Sequence, residues 1–225
     1  MTTLAVTSES DDEPRVAASP ETVKKFIGLG CKVVVQTGAG SASRFSDALY
    51  EAQGAEIAAS REATLRDADI VLKVRRPESA EIAAMKSGAL LVCMLSPHDD
   101  RPSLDAIARA GIAAFSMELM PRITRAQSMD VLSSQANLAG YRAVIDAAAA
   151  FGQALPMMMT AAGTVPAAKV FIMGVGVAGL QAIATARRMG AIVTATDVRP
   201  ATKEQVASLG AKFVAVEDEE FKQAE

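Results

Sequence analysis

A glycine-rich turn carries the clearest chemical signal in the sequence. It follows an apolar run and has the pattern G-x-G-x-x-G. Gly174 permits a tight turn out of a strand, Gly176 removes the Cβ that would block a pyrophosphate, and Gly179 lets the next helix pack closely on the sheet. The amides at the start of that helix then face the phosphates. We therefore expect the turn, including Val177 and Ala178, to bind a dinucleotide.

An acidic residue ends the next apolar run, eighteen residues after Gly179. At that place Asp197 can accept hydrogen bonds from both hydroxyls of an adenosine ribose, and its charge would repel a 2′-phosphate. This predicts NAD(H) in preference to NADP(H). Arg199 leaves the opposite possibility open, because an arginine there can receive the phosphate. We expect Asp197, Val198 and Arg199 to form the ribose end of the site.

Two other interpretations of the glycine segment remain. Residues 170–186 carry no charge and approach the length of a membrane span. Three glycines would cost a helix about 1 kcal/mol each, however, and the segment divides naturally into strand, turn and helix. A turn that merely packs, without a nucleotide, is the second alternative, and Asp197 argues against it.

The composition is typical of an α/β protein. Half of the 225 residues are apolar and the net charge is −3, which gives no electrostatic footprint for nucleic acid or an anionic membrane surface. The N-terminus has no signal-peptide pattern, so we expect a cytoplasmic protein. Cys31 and Cys93 adjoin apolar runs and are expected to be buried, reduced thiols. We expect no bound metal.

The first half of the chain alternates strands and helices, which predicts a parallel sheet in an N-terminal α/β domain over residues 1–123. The expected strands are Leu4–Val6, Lys32–Val35, Ala55–Ala58, Ile70–Val74, Ala89–Met94 and Ile112–Phe115. The helices are expected to begin near Ser19, Ser46, Ser60, Glu78 and Pro102.

A second organisation begins after residue 123. Good helix formers from Thr124 to about Leu155 predict one long connecting helix ended by Pro156, within a connection over residues 124–164. Residues 165–225 then supply a strand, the glycine turn, a helix, the strand before Asp197, another helix and a strand at Ala211–Val216. The prediction is two Rossmann-like parallel-sheet domains joined by a long helix. Only half of the second strand set is present, so we expect a longer protein. Alternatively, the acidic residues 217–220 are the solvated end of a short chain.

Four long motifs closely resemble the NAD(H)-binding α subunit, or domain I, of proton-translocating NAD(P) transhydrogenase, in the alanine dehydrogenase/transhydrogenase family. They are residues 118–146, 156–166, 174–186 and 195–206. The resemblance implies a dimer that binds NAD(H) in a cleft and exchanges hydride with NADP(H) on a partner subunit. It also implies coupling to proton movement by membrane-spanning subunits, with this chain peripheral to the cytoplasmic membrane. A fragment alone is expected to be inactive.

The segment from Arg122 to Ser133, at the beginning of the long connection, matches the family's arginine-glutamine-aspartate loop at the nicotinamide end. The resemblance assigns Arg122, Gln127 and Asp130 to catalysis, with Ser133 as a further cofactor ligand. Hydride transfer moves no proton at the nicotinamide, so the site needs positioning groups rather than an acid or base. Gln127 and Ser133 can fix the carboxamide, while Arg122 and Asp130 can hold ribose, phosphates or each other. An ordinary surface ion pair between Arg122 and Asp130 is the alternative.

Alanine dehydrogenases, which also resemble this chain, supply the competing enzyme hypothesis. The matches are the segment Glu13–Pro20 and Lys73, where an arginine and a lysine hold a substrate carboxylate. Their histidine is replaced here by Met94, and the single histidine of the chain is His98. Amino-acid oxidation must transfer a proton as well as a hydride, which methionine cannot do. The hypothesis therefore requires His98 to turn inward.

Overall fold

The computed structural model describes residues 1–215 and contains two compact units. The first is Met1–Met129 and the second begins at Asp130. Both contain a parallel sheet with helices, so the predicted α/β class is confirmed. The division between the units falls inside the segment 124–164, for which the sequence predicts a connection.

The first unit is built on a six-stranded, wholly parallel sheet. Its strand order, β3-β2-β1-β4-β5-β6, is that of a doubly wound dinucleotide fold. All six strands predicted from the sequence are present, with ends shifted by one or two residues. The strands are β1 (Thr3–Val6), β2 (Lys32–Gln36), β3 (Glu56–Ala58), β4 (Ile70–Leu72), β5 (Leu90–Cys93) and β6 (Ala113–Ser116).

The five α-helices of this unit begin where capping residues predict. They are α1 (Pro20–Gly28), α2 (Asp47–Glu51), α3 (Arg61–Leu65), α4 (Ser79–Ala84) and α5 (Arg101–Arg109). The Ser19 hydroxyl accepts from the Thr22 amide, and Asp100 caps α5 through the Ser103 amide. Glu78 and Glu81 form a reciprocal capping box at α4.

Apolar side chains fill both faces of the first sheet. One cluster contains Val6, Val35 and Tyr50, and the other contains Val71, Leu91 and Cys93. Burial raises the pKa of the Cys93 thiol to about 12, which fits an inert reduced cysteine. Cys31 is also a free thiol, as expected, but the expected burial was wrong because this residue is only half buried.

The predicted long helix is shorter than expected and interrupted. Residues Thr124–Met129 form a 3₁₀ helix, and the α-helix α6 spans Val131–Ala150. Asp130 breaks the run because its carboxylate caps the new helix, accepting from the Ser133 amide at 2.9 Å and the Ser133 hydroxyl at 2.6 Å. The helix ends at Ala150, before Pro156 is reached. Gly152, two residues after the helix end, adopts a φ of +68°.

As far as residue 215, the second unit contains a hairpin and a parallel sheet of three strands. The antiparallel hairpin, β7 (Met158–Thr160) and β8 (Gly163–Val165), was not predicted. The sheet has the order β11-β10-β9 and consists of β9 (Lys169–Met173), β10 (Ile192–Thr196) and β11 (Lys212–Phe213), with helices α7 (Val177–Arg188) and α8 (Thr202–Ser208). The predicted last strand extends to Val216, and that residue and the acidic run 217–220 lie outside the described residues.

No helix within residues 1–215 is both long and apolar enough to cross a membrane. The uncharged segment 170–186 divides into β9, the glycine turn and most of α7. The membrane-span interpretation of that segment is therefore wrong.

A buried carboxylate joins the N-terminal loop of the first unit to the end of β4. Glu13 is 5% exposed, and its two carboxylate oxygens each accept a 2.7 Å hydrogen bond from Arg15. The Nε of Arg75, three residues after β4, donates to the same carboxylate at 2.9 Å. Arg15 lowers the pKa of the Glu13 carboxyl to about 2, against the opposing effect of burial and with the help of Arg75.

Replacing Glu13 by glutamine tests the stability held in this ion pair. A carboxyl whose pKa is lower in the folded state stabilises the fold above its ordinary pKa, and that stabilisation is lost as the pH falls from about 4.5 to 2. We expect Glu13→Gln to lower the free energy of unfolding at pH 7 by about 1 to 3 kcal/mol. Below about pH 3 the difference from the unsubstituted protein should shrink. Urea unfolding at both pH values measures this, with the exposed Glu21→Gln as matched control. Equal stability of the two variants at pH 7 would contradict the assignment.

Candidate functional site

The glycine turn is shaped by the backbone conformation of Gly174 and by one close backbone contact. Gly174 has a φ of +90°, a conformation that residues with a side chain rarely adopt, and it turns the chain sharply out of β9. A Cβ on Gly179 would overlap the carbonyl oxygen of Gly174 and lie 2.9 Å from its carbonyl carbon. Helix α7 can therefore begin directly against the end of β9 only because both residues are glycine.

The middle glycine of the turn faces open space. Gly176 is the N-cap of α7, and an added Cβ there would meet no atom within 4 Å. The first amides of a helix have no intrahelical partner, and the helix dipole places partial positive charge beside them. The turn combines this electropositive helix start with free volume at Gly176, which is the arrangement that a pyrophosphate requires.

Asp197 lies beside this turn, at the carboxyl end of β10. Its Oδ2 accepts a 2.6 Å hydrogen bond from the Val175 amide. The Arg199 side chain donates two hydrogen bonds to the same carboxylate, one of 2.9 Å from Nε and one of 3.0 Å from a terminal nitrogen. The Arg199 guanidinium, together with the Val175 amide, holds the pKa of the Asp197 carboxyl well below its usual range. The carboxylate is therefore ionised and fixed in place.

The other residues predicted to bind the cofactor in this region are mostly exposed. Val198 is 78% exposed between Asp197 and Arg199, and Val177 is 40% exposed at the first position of α7. Ala178 lies in the same first turn. All the predicted residues from Gly174 to Arg199 thus lie at the carboxyl edge of the second sheet, the edge at which parallel α/β sheets bind ligands.

Helix α6 places two further predicted residues beyond that same edge. Gly140 in α6 lies against the first turn of α7, next to the carboxyl end of β9. After α6, the Leu155 carbonyl accepts from the Ala168 amide, immediately before β9 begins. The helix therefore runs from the carboxyl edge of the sheet towards its amino edge. Its first turn, with Asp130 and Ser133, extends past the carboxyl edge.

Arg122 and Gln127 belong to the first unit. Arg122 lies before the 3₁₀ helix Thr124–Met129 and Gln127 lies within it, and both are exposed. Asp130 and Ser133, at the start of α6, bond to each other and are half buried. The sequence motif is thus carried by two different units of the structure.

An apolar groove of about 860 Å³ lies beside the glycine turn. Its lining comes from α6, β9 and the start of α7, and includes Ala143, Phe171 and Val177. Among the described strands only β10 pairs with β9, so the groove follows the unpaired edge of the sheet. The groove shares Gly176, Val177 and Ala178 with the glycine turn, so the candidate site borders it.

The corresponding edge of the first sheet is occupied by the chain's own charges. Lys73, at the carboxyl end of β4, has a side chain only 3% exposed. Its Nζ lies 2.9 Å from Glu81 and 3.6 Å from Glu9, and it donates to the Thr7 hydroxyl at 3.2 Å. Arg15 is similarly paired with Glu13. Both cations that the alanine dehydrogenase hypothesis assigns to a substrate carboxylate are therefore neutralised by internal carboxylates.

The single histidine is exposed and does not replace the histidine that alanine dehydrogenases use. His98 is exposed in a turn after β5, and Met94 is half buried. Glu118 holds the preceding loop, accepting from the Leu95 amide at 2.9 Å and from the Ser96 amide. Ser96 adopts a φ of +48° there. The inward turn of His98 that amino-acid oxidation needs does not occur in this structure.

Comparison with known families agrees with this geometry. Residues 5–139 match the family described as "Alanine dehydrogenase/PNT, N-terminal domain", and residues 143–225 match "Alanine dehydrogenase/PNT, C-terminal domain". The chain belongs to the alanine dehydrogenase/PNT family. Both family domains are thus represented, and the site at the second sheet lies in the C-terminal one.

Several curated relatives of high similarity are named as alpha subunits of NAD(P) transhydrogenase. The one from Rhodospirillum rubrum is 59% identical over 218 residues, which cover 95% of this chain and 57% of the relative. The one from Rickettsia prowazekii is 48% identical over 98% of this chain and 58% of its own length. Alanine dehydrogenase of Mycobacterium tuberculosis is 30% identical over 85% of this chain and 52% of the relative. The chain thus spans a little over half the length of these relatives.

Among the solved structures, too, a transhydrogenase is more similar to this chain than an alanine dehydrogenase is. Transhydrogenase from Sinorhizobium meliloti superposes with a TM-score of 0.91 at 61% identity, covering 95% of this chain and 64% of that one. An L-alanine dehydrogenase superposes with a TM-score of 0.79 at 26% identity, covering 94% of this chain and 60% of that one. The Rossmann-like architecture is common to both.

Two structural features of the site were missed from the sequence. Val175 contributes its amide to Asp197, and no sequence pattern marks a backbone donor. Gly140 packs against the start of α7. It could have been found, because an isolated glycine in an otherwise alanine-rich helix costs about 1 kcal/mol and often marks a close backbone approach.

We expect the natural full-length polypeptide to show no ammonia-dependent reduction of pyruvate with NADH. Lys73 is held by Glu81, and no histidine stands at position 94 to transfer the proton. NADH absorbance in the presence of pyruvate and ammonium measures this, with an alanine dehydrogenase as positive control. Met94→His should remain inactive as well, because Lys73 stays paired. Turnover by the unsubstituted protein would restore the alanine dehydrogenase hypothesis.

Proposed function

We propose that this chain is the NAD(H)-binding component of a proton-translocating NAD(P) transhydrogenase. Hydride passes between NADH on this chain and NADP⁺ on a partner subunit, and the transfer is coupled to proton movement across a membrane. The observation that carries the proposal is the carboxyl edge of the second sheet, where the open turn at Gly176, the start of α7 and Asp197 lie together. A relative at 59% identity that is named as a transhydrogenase alpha subunit supports it.

The residues at this edge fit the adenosine and pyrophosphate parts of NAD(H). The amides at the start of α7 bind the pyrophosphate, which can approach closely because Gly176 has no side chain. Asp197 accepts hydrogen bonds from the ribose hydroxyls, for which Arg199 must share or release the carboxylate. When bound, the nicotinamide ring supplies the hydride chemistry, and the chain supplies binding and orientation.

The nicotinamide end is assigned to the arginine-glutamine-aspartate loop. Asp130 and Ser133 support this because α6 carries them past the carboxyl edge of the sheet. Ser133 and Gln127 orient the carboxamide, and Asp130 and Arg122 hold the ribose or phosphates. These groups position the ring without exchanging a proton at it, as a hydride transfer between two nicotinamides requires.

Other subunits are part of the proposal. The partner binds NADP(H), and membrane-spanning subunits conduct the proton, so that this chain lies at the cytoplasmic face of the membrane as a dimer. The relatives are named as alpha subunits, which supports the existence of further subunits. A second, enclosed substrate pocket is not required, because each nicotinamide is the other's substrate.

The cofactor preference is tested by titrating NADH and NADPH. The natural full-length polypeptide should bind NADH more tightly, because Asp197 offers hydrogen-bond acceptors that match ribose hydroxyls and disfavour a phosphate. Asp197→Asn should weaken NADH binding about tenfold or more, the equivalent of about 1.4 kcal/mol. Calorimetry or fluorescence measures both affinities, with Asp67→Asn on an exposed turn as control. Equal affinities of the unsubstituted protein for NADH and NADPH would mean that Arg199 governs this end of the site.

Gln127→Asn tests the nicotinamide end. Shortening this one side chain by one methylene should change NADH affinity little, because all other contacts of the cofactor remain, but slow hydride transfer by on the order of a hundredfold through misplacement of the ring. Stopped-flow transfer to an NADP-type acceptor on the partner subunit measures the rate, beside NADH affinity for the same variant. Gln153→Asn, in an exposed loop after α6, is the matched control. An unchanged rate would reduce this loop to a structural connection.

A further inference from the structure

Gly140 is the point at which α6 approaches the nucleotide turn most closely. It is buried in the middle of the helix, and a Cβ there would overlap the carbonyl oxygen of Ala178. The same Cβ would lie 2.8 Å from the carbonyl carbon of Ala178 and 3.0 Å from its Cα. All three atoms are backbone, so no side-chain rotation could relieve the overlap. The contact therefore fixes the backbone of α6 against the backbone of the first turn of α7.

The contact links the two ends of the proposed NAD(H) site. Ala178 lies in the helix start that faces the pyrophosphate, between the second and third glycines of the turn. Asp130 and Ser133 lie seven to ten residues before Gly140 in the chain, at the start of the same helix. At a rise of about 1.5 Å per residue they stand about 10 to 15 Å from it along the helix axis. A rigid helix thus separates the pyrophosphate turn from the nicotinamide residues.

Neighbouring contacts stop α6 from sliding on α7. One turn before Gly140, the Asn137 side chain donates to the Gln181 side chain at 3.1 Å. One turn after it, Val144 is buried in a cluster with Ala182 and Ile183 of α7. The first turn of α7 is held from its other side by the contact of Gly179 with Gly174. The position of α6 relative to the turn is therefore defined along the helix as well as across it.

We propose that Gly140 is a positioning residue that sets the distance between the pyrophosphate and nicotinamide ends of the site. It touches neither end of the cofactor, and it acts through Ala178 on one side and through the start of α6 on the other. The inference rests on the proposed function, since the spacing matters only for a dinucleotide. It explains why a glycine stands in this helix, where alanine would form helix more readily.

The test is Gly140→Ala in the natural full-length polypeptide, with binding of NADH and of adenosine 5′-monophosphate measured by calorimetry. The monophosphate spans only the adenosine end and the turn, so its affinity should change less than about twofold. NADH spans both ends, and its affinity should fall at least about tenfold. Gly28→Ala is the matched control, because that glycine also lies in a helix but an added Cβ meets nothing within 4 Å. Unchanged NADH binding by Gly140→Ala would overturn the inference.

A second variant covers the case in which Gly140→Ala does not fold. One alanine inserted between Gln135 and Ala136 adds nothing at the Gly140 contact but turns the start of α6 by about 100° and moves it by about 1.5 Å. It should also lose NADH affinity and keep that of the monophosphate, whereas an alanine inserted after Gly152 should change neither. NADH binding equal to that of the unsubstituted protein would overturn the inference. Failure of the unsubstituted protein itself to bind NADH would instead overturn the proposed function.

Discussion

The close approach of backbones around the start of α7 is the constraint on which the second unit depends. Gly179 lies on the carbonyl of Gly174, and Gly140 lies on the carbonyl of Ala178, so one helical turn is held between a strand end and a neighbouring helix. A side chain at Gly179 would push α7 away from the strand end, and the helix dipole would no longer point at the space beside Gly176, whereas a side chain at Gly140 would displace α6 from α7. The glycines thus permit the close helix packing, and the packing sets the direction of the helix-start amides. The candidate phosphate site follows from that packing and needs no charged side chain.

The two sheets use the same edge in opposite ways. In both, residues that follow the strands gather at the carboxyl edge, where parallel α/β folds bind ligands. In the first unit Lys73, Glu81 and Glu9 satisfy one another below the surface, and removing one partner of such a buried group is costly. In the second unit the start of α7 has open space beside Gly176. At the first edge Lys73 is thus already paired with carboxylates of the chain, whereas the second edge leaves open space beside Gly176.

The elements that the sequence predicted well are those whose pattern is local. Short apolar runs located every strand of the first sheet, and capping residues located its helices. The start of the long helix was predicted wrongly, because in the sequence Asp130 is one polar residue in a helical run. Only the structure shows that its carboxylate caps α6. The hairpin at residues 158–165 was missed because its exposed methionines show no alternation of buried and exposed positions. In the site, the glycines and Asp197 follow a spacing rule, whereas the pairing of Arg199 with Asp197 depends on rotamers that spacing does not encode.

That pairing changes the electrostatic argument for cofactor choice. An isolated carboxylate would reject a 2′-phosphate by charge, but Arg199 neutralises most of the field of Asp197 while the two are joined. The remaining discrimination against a 2′-phosphate then comes from hydrogen bonding, because the carboxylate offers only acceptors and a phosphate at neutral pH offers few donors. Ribose hydroxyls can donate to it, and they gain most if Arg199 moves aside and restores the full charge. For the proposed function, discrimination is then strongest in the bound state, when the arginine has given up the carboxylate that it holds in the free protein.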